Sequence, residues 1–123
     1  MFLVGIVISM CGCSPCGNGL VSTLLSPDGR LKVIVFTRDC GATVRTDTGV
    51  SVLPASASLP GGGANALVVR DNPDRPIERT FPAIDLRLNW ISSRRLRVLY
   101  PRDAMVDKRA TSIGGVAIEY GAY

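Results

Sequence analysis

Cys11, Cys13, Cys16 and Cys40 are the residues best suited to chemistry in this chain, and the complete lack of histidine limits what they can do. A Ser-His-Asp triad, a Cys-His pair and a His-ligated metal are all excluded within the sequence. Cys13-Ser-Pro-Cys16 has the C-x-x-C spacing of a zinc half-site, but Cys40 stands alone where a second ligand pair is needed. A thiol–disulfide exchange motif belongs at the head of a helix that follows a strand. Here the motif follows an apolar run and precedes Gly17-Asn18-Gly19. Cys40 as a nucleophile has no imidazole to activate it, and the neighbouring Asp39 would raise its pKa. What remains for these thiols is attachment and cross-linking.

Other candidate chemistry is equally restricted. The acids Asp39 and Asp85 could serve an enzyme, but the chain has only two glutamates, Glu78 and Glu119, and no paired-carboxylate motif, so no catalytic residue is expected. Gly61-Gly62-Gly63 could cradle phosphate, yet a P-loop needs a following Lys-Ser or Lys-Thr and a helix, whereas Asn65-Ala66-Leu67-Val68-Val69 reads as a strand. Asp71-Asn72-Pro73-Asp74-Arg75-Pro76 has oxygen ligands without EF-hand spacing and reads as a turn. No metal and no cofactor is expected. Fourteen Lys and Arg against ten Asp and Glu give +4, with Lys32 and Lys108 the only lysines and acids interspersed among the arginines. Nucleic-acid binding calls for a clustered basic face, so nucleic acid is not an expected partner.

Residues 1–10 form an uninterrupted apolar run that ends at Cys11-Gly12-Cys13. Such a run is too short to cross a bilayer and matches the core of an export signal. A cysteine after a small residue at the end of this core resembles the lipobox of bacterial lipoproteins. Cys13, after Gly12, fits that position better than Cys11, after Met10, although Met10 replaces the usual leucine and no Lys or Arg precedes the core. The expected division is a signal segment over 1–13 and one β domain over 14–123, with the mature protein lipidated at Cys13 and held to a membrane of the bacterial envelope or periplasm. The competing reading makes residues 2–10 a buried strand of a small cytosolic β module with reduced thiols. If Cys11 leaves with the signal and Cys13 carries lipid, Cys16 and Cys40 remain, and an oxidising compartment would join them.

The elements around those cysteines are strands. Residues 20–25 and 31–36 flank Ser26-Pro27-Asp28-Gly29, which places Pro and Gly where a tight turn needs them. Val33-Ile34-Val35-Phe36 is apolar without alternation, the mark of a strand covered on both faces or lying mid-sheet. Residues 38–43 break this pattern and read as a loop fixed by Cys40. The series Cys16-Gly-Asn, Ser26-Pro-Asp-Gly-Arg-Leu-Lys-Val, Val35-Phe36 and Arg38-Asp-Cys-Gly-Ala-Thr43, continuing to Val50-Ser-Val-Leu-Pro54, resembles a family of small uncharacterised bacterial exported proteins, many with lipoprotein signals. The resemblance covers about residues 16 to 54 and implies export and a Cys16–Cys40 pairing. Here Val44-Arg45 follows the motif in place of the family's Thr, Gly and aromatic residue. It implies no reaction.

Beyond this stretch, residues 50–53 read as a short strand and 54–64 as a mobile loop. Ile84, Leu86, Leu88 and Trp90 alternate with Asp85, Arg87 and Asn89, and after a turn at Ser92-Ser93-Arg94 the pattern recurs with Leu96, Val98 and Tyr100 inward. The two hairpins echo each other, Arg30-Leu-Lys-Val-Ile aligning with Arg95-Leu-Arg-Val-Leu, although two such units cannot close a propeller. Residues 101–111 read as a charged connection, at most one helical turn near 103–109, and 113–120 as a last strand. The expected fold is all-β: an antiparallel sheet of six or seven strands forming a small sandwich or open barrel. Arg87, Arg95 and Arg97 would then line adjacent strands with Arg94 at their turn. That arrangement suits either a solvated face or a strip that binds an acidic protein, glycan or lipid headgroup. With Arg38 and Asp39 these are the candidate binding residues. The expected function is a non-enzymatic, envelope-exposed binding module, with an inhibitor or immunity-type protein acting on a partner enzyme or toxin as the alternative.

Overall fold

The computed structural model describes residues 16–41, 46–77 and 82–123. The expected signal segment over 1–13, with Cys11 and Cys13, and the end of the Arg38 to Thr43 motif lie outside the described residues. The nine strands are β1 (Gly17–Leu25), β2 (Leu31–Asp39), β3 (Asp47–Pro54), β4 (Leu67–Arg70), β5 (Arg87–Ser92), β6 (Arg95–Tyr100), β7 (Met105–Arg109), β8 (Ser112–Ile113) and β9 (Val116–Ala122). They form a five-stranded sheet in the order β1-β2-β3-β4-β7 and a four-stranded sheet in the order β5-β6-β9-β8. Val33, Val35, Val50, Val52, Leu67 and Val69 of the first sheet share one core with Trp90, Leu96, Val98, Val116 and Ile118 of the second. The molecule is an all-β sandwich.

Each hairpin is set by local chemistry. In the first, Ser26 N donates to Leu31 O and Gly29 N to Ser26 O, while Asp28 accepts from the Ser26 hydroxyl and the Arg30 N–H. Those two hydrogen bonds, the Ser26 one first, hold the Asp28 carboxyl below its ordinary pKa. Gly29 has φ 74°, which an L side chain would resist. The second hairpin pairs β5 with β6 and lies in the other sheet. The echoing tips meet where Asp28 N donates to Ser93 Oγ across 3.0 Å.

Several details differ from the sequence reading. The alternation that begins at Ile84 forms a strand only from Arg87, although Ile84 is buried in the core. The charged connection contains a strand, β7, in place of a helical turn, because Val69 and Val106 can pair across an open sheet edge. The last strand is two: Gly114 (φ 53°) and Gly115 (φ 84°) make a two-residue turn between Ile113 and Val116, a signal the dipeptide itself carried. These short strands raise the count above six or seven. β6 and β9 run parallel, so the second sheet is mixed. Residues 38 and 39 extend β2 before the chain leaves the sheet at Cys40, so the break falls later than the change in hydrophobicity.

The unalternating run in β2 is buried on both faces. Val33 and Val35 enter the inter-sheet core, and Ile34 and Phe36 form a second cluster with Ala64 on the outer face. Residues 57–64 cover that outer face and are fastened there: Asn18 Nδ2 donates to Pro60 O and Gly62 O, Arg38 to Gly61 O, Lys32 to Ala57 O and Lys108 to Ala64 O. This corrects the mobile-loop reading. A glycine-rich segment has little of its own to hold it, and the donors come from β1, β2 and β7, where sequence distance hides them. Asn65 continues the cover by pairing its side-chain amide with Val52 N and O, as a strand backbone would.

Gly49 lies opposite Phe36 in the β2–β3 pairing, and a Cβ there would sit 2.9 Å from Ala64 Cβ and 3.1 Å from Phe36 Cζ. Gly49→Ala is therefore expected to lower the unfolding free energy by about 1–3 kcal/mol through overpacking, read as a drop in the urea midpoint. Tyr120 gives a second prediction. Its hydroxyl donates to Ala110 O at 2.6 Å, and burial pushes its pKa from 10.0 up to about 12, against a lowering by Arg109. Its stabilising contribution is whole below pH 10.0 and is lost as pH rises through about 12. The wild-type urea midpoint should fall over that range more steeply than that of Tyr120→Phe.

Candidate functional site

The sequence-derived candidates fall into two places. Arg38 and Asp39 stand at the open end of the β1–β2 hairpin, where Cys16 and Cys40 are joined by a disulfide next to the Gly17–Asp39 pair. Arg38 directly opposes Asn18, donates to its Oδ1 at 3.0 Å, and reaches Gly61 O at 2.9 Å. Asp39 Oδ1 accepts from Gly41 N at 3.0 Å, closing a small turn after the strand. Both side chains are thus committed to local structure: Arg38 fastens the 57–64 cover and Asp39 ends β2. Asn18, which entered the sequence reading only as part of Cys16-Gly-Asn and with no role of its own, is the organiser of this corner.

Arg87, Arg95 and Arg97 come together on the outer face of the second sheet. β5 and β6 are neighbours, Asn89 opposes Arg97, and Arg97 in turn opposes Glu119 on the parallel strand β9. Arg97 approaches Glu119 Oε1 at 3.6 Å, and Arg95 pairs with Oε2 of the same carboxylate. These contacts are more than half exposed on the arginine side, 54% and 55%, so each contributes at most about 1 kcal/mol. Arg87 stacks on the Tyr123 ring, 3.8 Å from its centroid, and Tyr123 donates to Asp85 O at 2.6 Å. Burial raises the Tyr123 pKa and the Arg87 charge opposes the rise. Stacking leaves the edge of a guanidinium, with its N–H groups, directed outward.

Two glycines also shape this face. A Cβ at Gly121 would lie 2.8 Å from Leu99 Cδ2, so the glycine lets the Leu99 side chain lie down across β9. At the strand turn the Arg94 guanidinium rests against Gly115, 3.3 Å from where a Cβ would be. Three arginines face one carboxylate over the described outward positions of β5, β6 and β9, a surplus of two positive charges. Glu119, Gly121 and Tyr123 were not among the sequence candidates. Glu119 was legible from the alternation of the last strand. Tyr123 was not, since its partner Arg87 is remote in sequence.

Among the described residues no group of three His, Cys, Asp or Glu could hold a metal ion, and no helix is long and apolar enough to cross a membrane. No family model matches the chain, and neither curated proteins nor solved structures give a match.

The disulfide closes a loop of about 25 residues, which in the chain-entropy account stabilises the fold by roughly 3.5 kcal/mol. The Cys16→Ser/Cys40→Ser variant should lose about that much in chemical denaturation. Thiol titration of the protein in denaturant should find Cys16 and Cys40 unreactive until a reductant is added.

Proposed function

We propose that this chain is a non-enzymatic binding module of the bacterial envelope, exported, lipidated at Cys13, and acting by presenting the outer face of the β5–β6–β9–β8 sheet to an acidic surface of a partner protein. The observation that carries the reading is that Arg87, Arg95 and Arg97 share one exposed face, where Arg95 and Arg97 divide a single carboxylate, Glu119, and Arg87 stacks on Tyr123. Guanidinium groups offer several donors in a fixed plane and suit carboxylates on an opposing surface. An exposed sheet face with a surplus of positive charge also steers an oppositely charged partner during encounter. The Cys16–Cys40 bond supports export, because such bonds persist in oxidising compartments. Inhibitors and immunity-type proteins are partner-binding classes that fit this size and compartment.

Two measurements test the reading. Palmitate should label the wild type and not Cys13→Ala; a reduced, unlabelled protein in the cytosol would favour the cytosolic module. On a poly-glutamate column the wild type should be retained at low ionic strength, and the Arg87→Gln/Arg95→Gln/Arg97→Gln variant should elute at clearly lower salt. Identical elution of the two would remove the arginine face from the binding surface.

A further inference from the structure

β1 is unlike the other exposed edges of the sandwich. Its nine residues, Gly-Asn-Gly-Leu-Val-Ser-Thr-Leu-Leu, include no charge, yet Leu20, Val21, Leu24 and Leu25 are 43% to 57% exposed. At the opposite edge of the same sheet β7 carries Asp107, Lys108 and Arg109, and the edges of the second sheet are β5, with Arg87, and the two-residue β8. Charge and shortness are the ordinary ways of protecting an edge. The apolar side extends beyond the strand, since Leu59 shares a small cavity with Leu20 and exposed Ile91 follows Trp90, whose indole N–H donates to Leu24 O.

We propose that this side of the sandwich rests on the lipid bilayer that holds the acyl chains of Cys13. The inference rests on the lipid-anchor reading. Gly17, the start of β1, is four residue steps after Cys13, which can span no more than about 14 Å. An acylated Cys13 therefore brings the first rungs of β1 to the membrane surface whatever the domain's orientation. Turning the Leu20–Leu25 side downward then removes apolar area from water at little further cost in tether entropy. An added strand, from a partner or a second copy, is less suited to this edge because β1 is interrupted as a pairing template. Its register slips between Leu20 and Ser22, and the Trp90 indole already occupies Leu24 O. A bilayer needs apolar side chains and no backbone pairing. β7, four strand spacings or about 19 Å away, would point back toward water.

Trp90, the chain's single tryptophan, lies against the β1 backbone and reports on this side. The lipidated, full mature protein is placed in phosphatidylethanolamine–phosphatidylglycerol vesicles whose acyl chains are brominated near the headgroup. Trp90 emission should lose intensity relative to unbrominated vesicles. Leu20→Ser/Leu25→Ser should recover most of the loss while the protein stays vesicle-bound, and Met105→Ser/Val106→Ser on β7 should not. Undiminished emission from protein whose mass shows acylation overturns the orientation alone, and concentration-dependent dimers in that case assign the edge to a second copy. Quenching that Leu20→Ser/Leu25→Ser leaves intact also overturns it. A mature protein without acyl mass overturns the anchor and the orientation together. Should the double variant fail to fold, the wild-type comparison still decides.

Discussion

The strand β2 is apolar on both faces, and the rest of the fold answers to that constraint. Val33 and Val35 need an opposing sheet, and Ile34 and Phe36 need something on the other side. A single sandwich interface satisfies only one face. The second is met without a third layer of secondary structure, by folding the glycine-rich 57–64 segment flat over the sheet. Gly49 makes room for the Phe36 ring beneath Ala64, so the cover can approach closely. Fully burying a large apolar side chain contributes on the order of 1.5–3 kcal/mol, which makes the cover worth forming.

Such a cover has a polar cost. Backbone carbonyls laid against a sheet face lose water and need donors. Asn18, Arg38, Lys32 and Lys108 supply them, which draws both lysines of the chain and one candidate binding arginine into structure. The disulfide lies two rungs beyond the Asn18–Arg38 pair and holds together a strand end that Gly17 and Gly19 would leave weak. Cross-link, clasp and cover are consecutive parts of one arrangement. Among the described residues the outer face of the second sheet has no comparable cover. Its arginines meet one carboxylate and an aromatic ring and remain exposed, whereas Arg38 is committed to the clasp.

Much of the fold was legible in the order of residues. The Ser26 to Gly29 turn, the doubly covered run in β2 and the alternation from Leu88 to Tyr100 are local signals, since side-chain period and turn conformation are set within a few residues. Cysteine counting led to Cys16 and Cys40 because the readings left few others to pair. The 57–64 segment shows where such reading stops. Three glycines and two prolines in residues 54–63 describe a chain without intrinsic structure, and only distant donors decide whether it is loose or pinned. β7 was hidden for a related reason, as its exposed, charged residues carry no pattern until β4 offers an edge.

By itself, then, the sequence determined the all-β class, the hairpins with their turns, the inward and outward faces, and the exclusion of histidine-based chemistry. These follow from covalent geometry and residue type. The tertiary structure alone decided the parallel pairing of β6 with β9, the covering of the outer face, the sharing of Glu119 by Arg95 and Arg97, and the meeting of Trp90 with the edge of β1. Each depends on contacts between residues far apart in the chain, whose proximity no local pattern encodes.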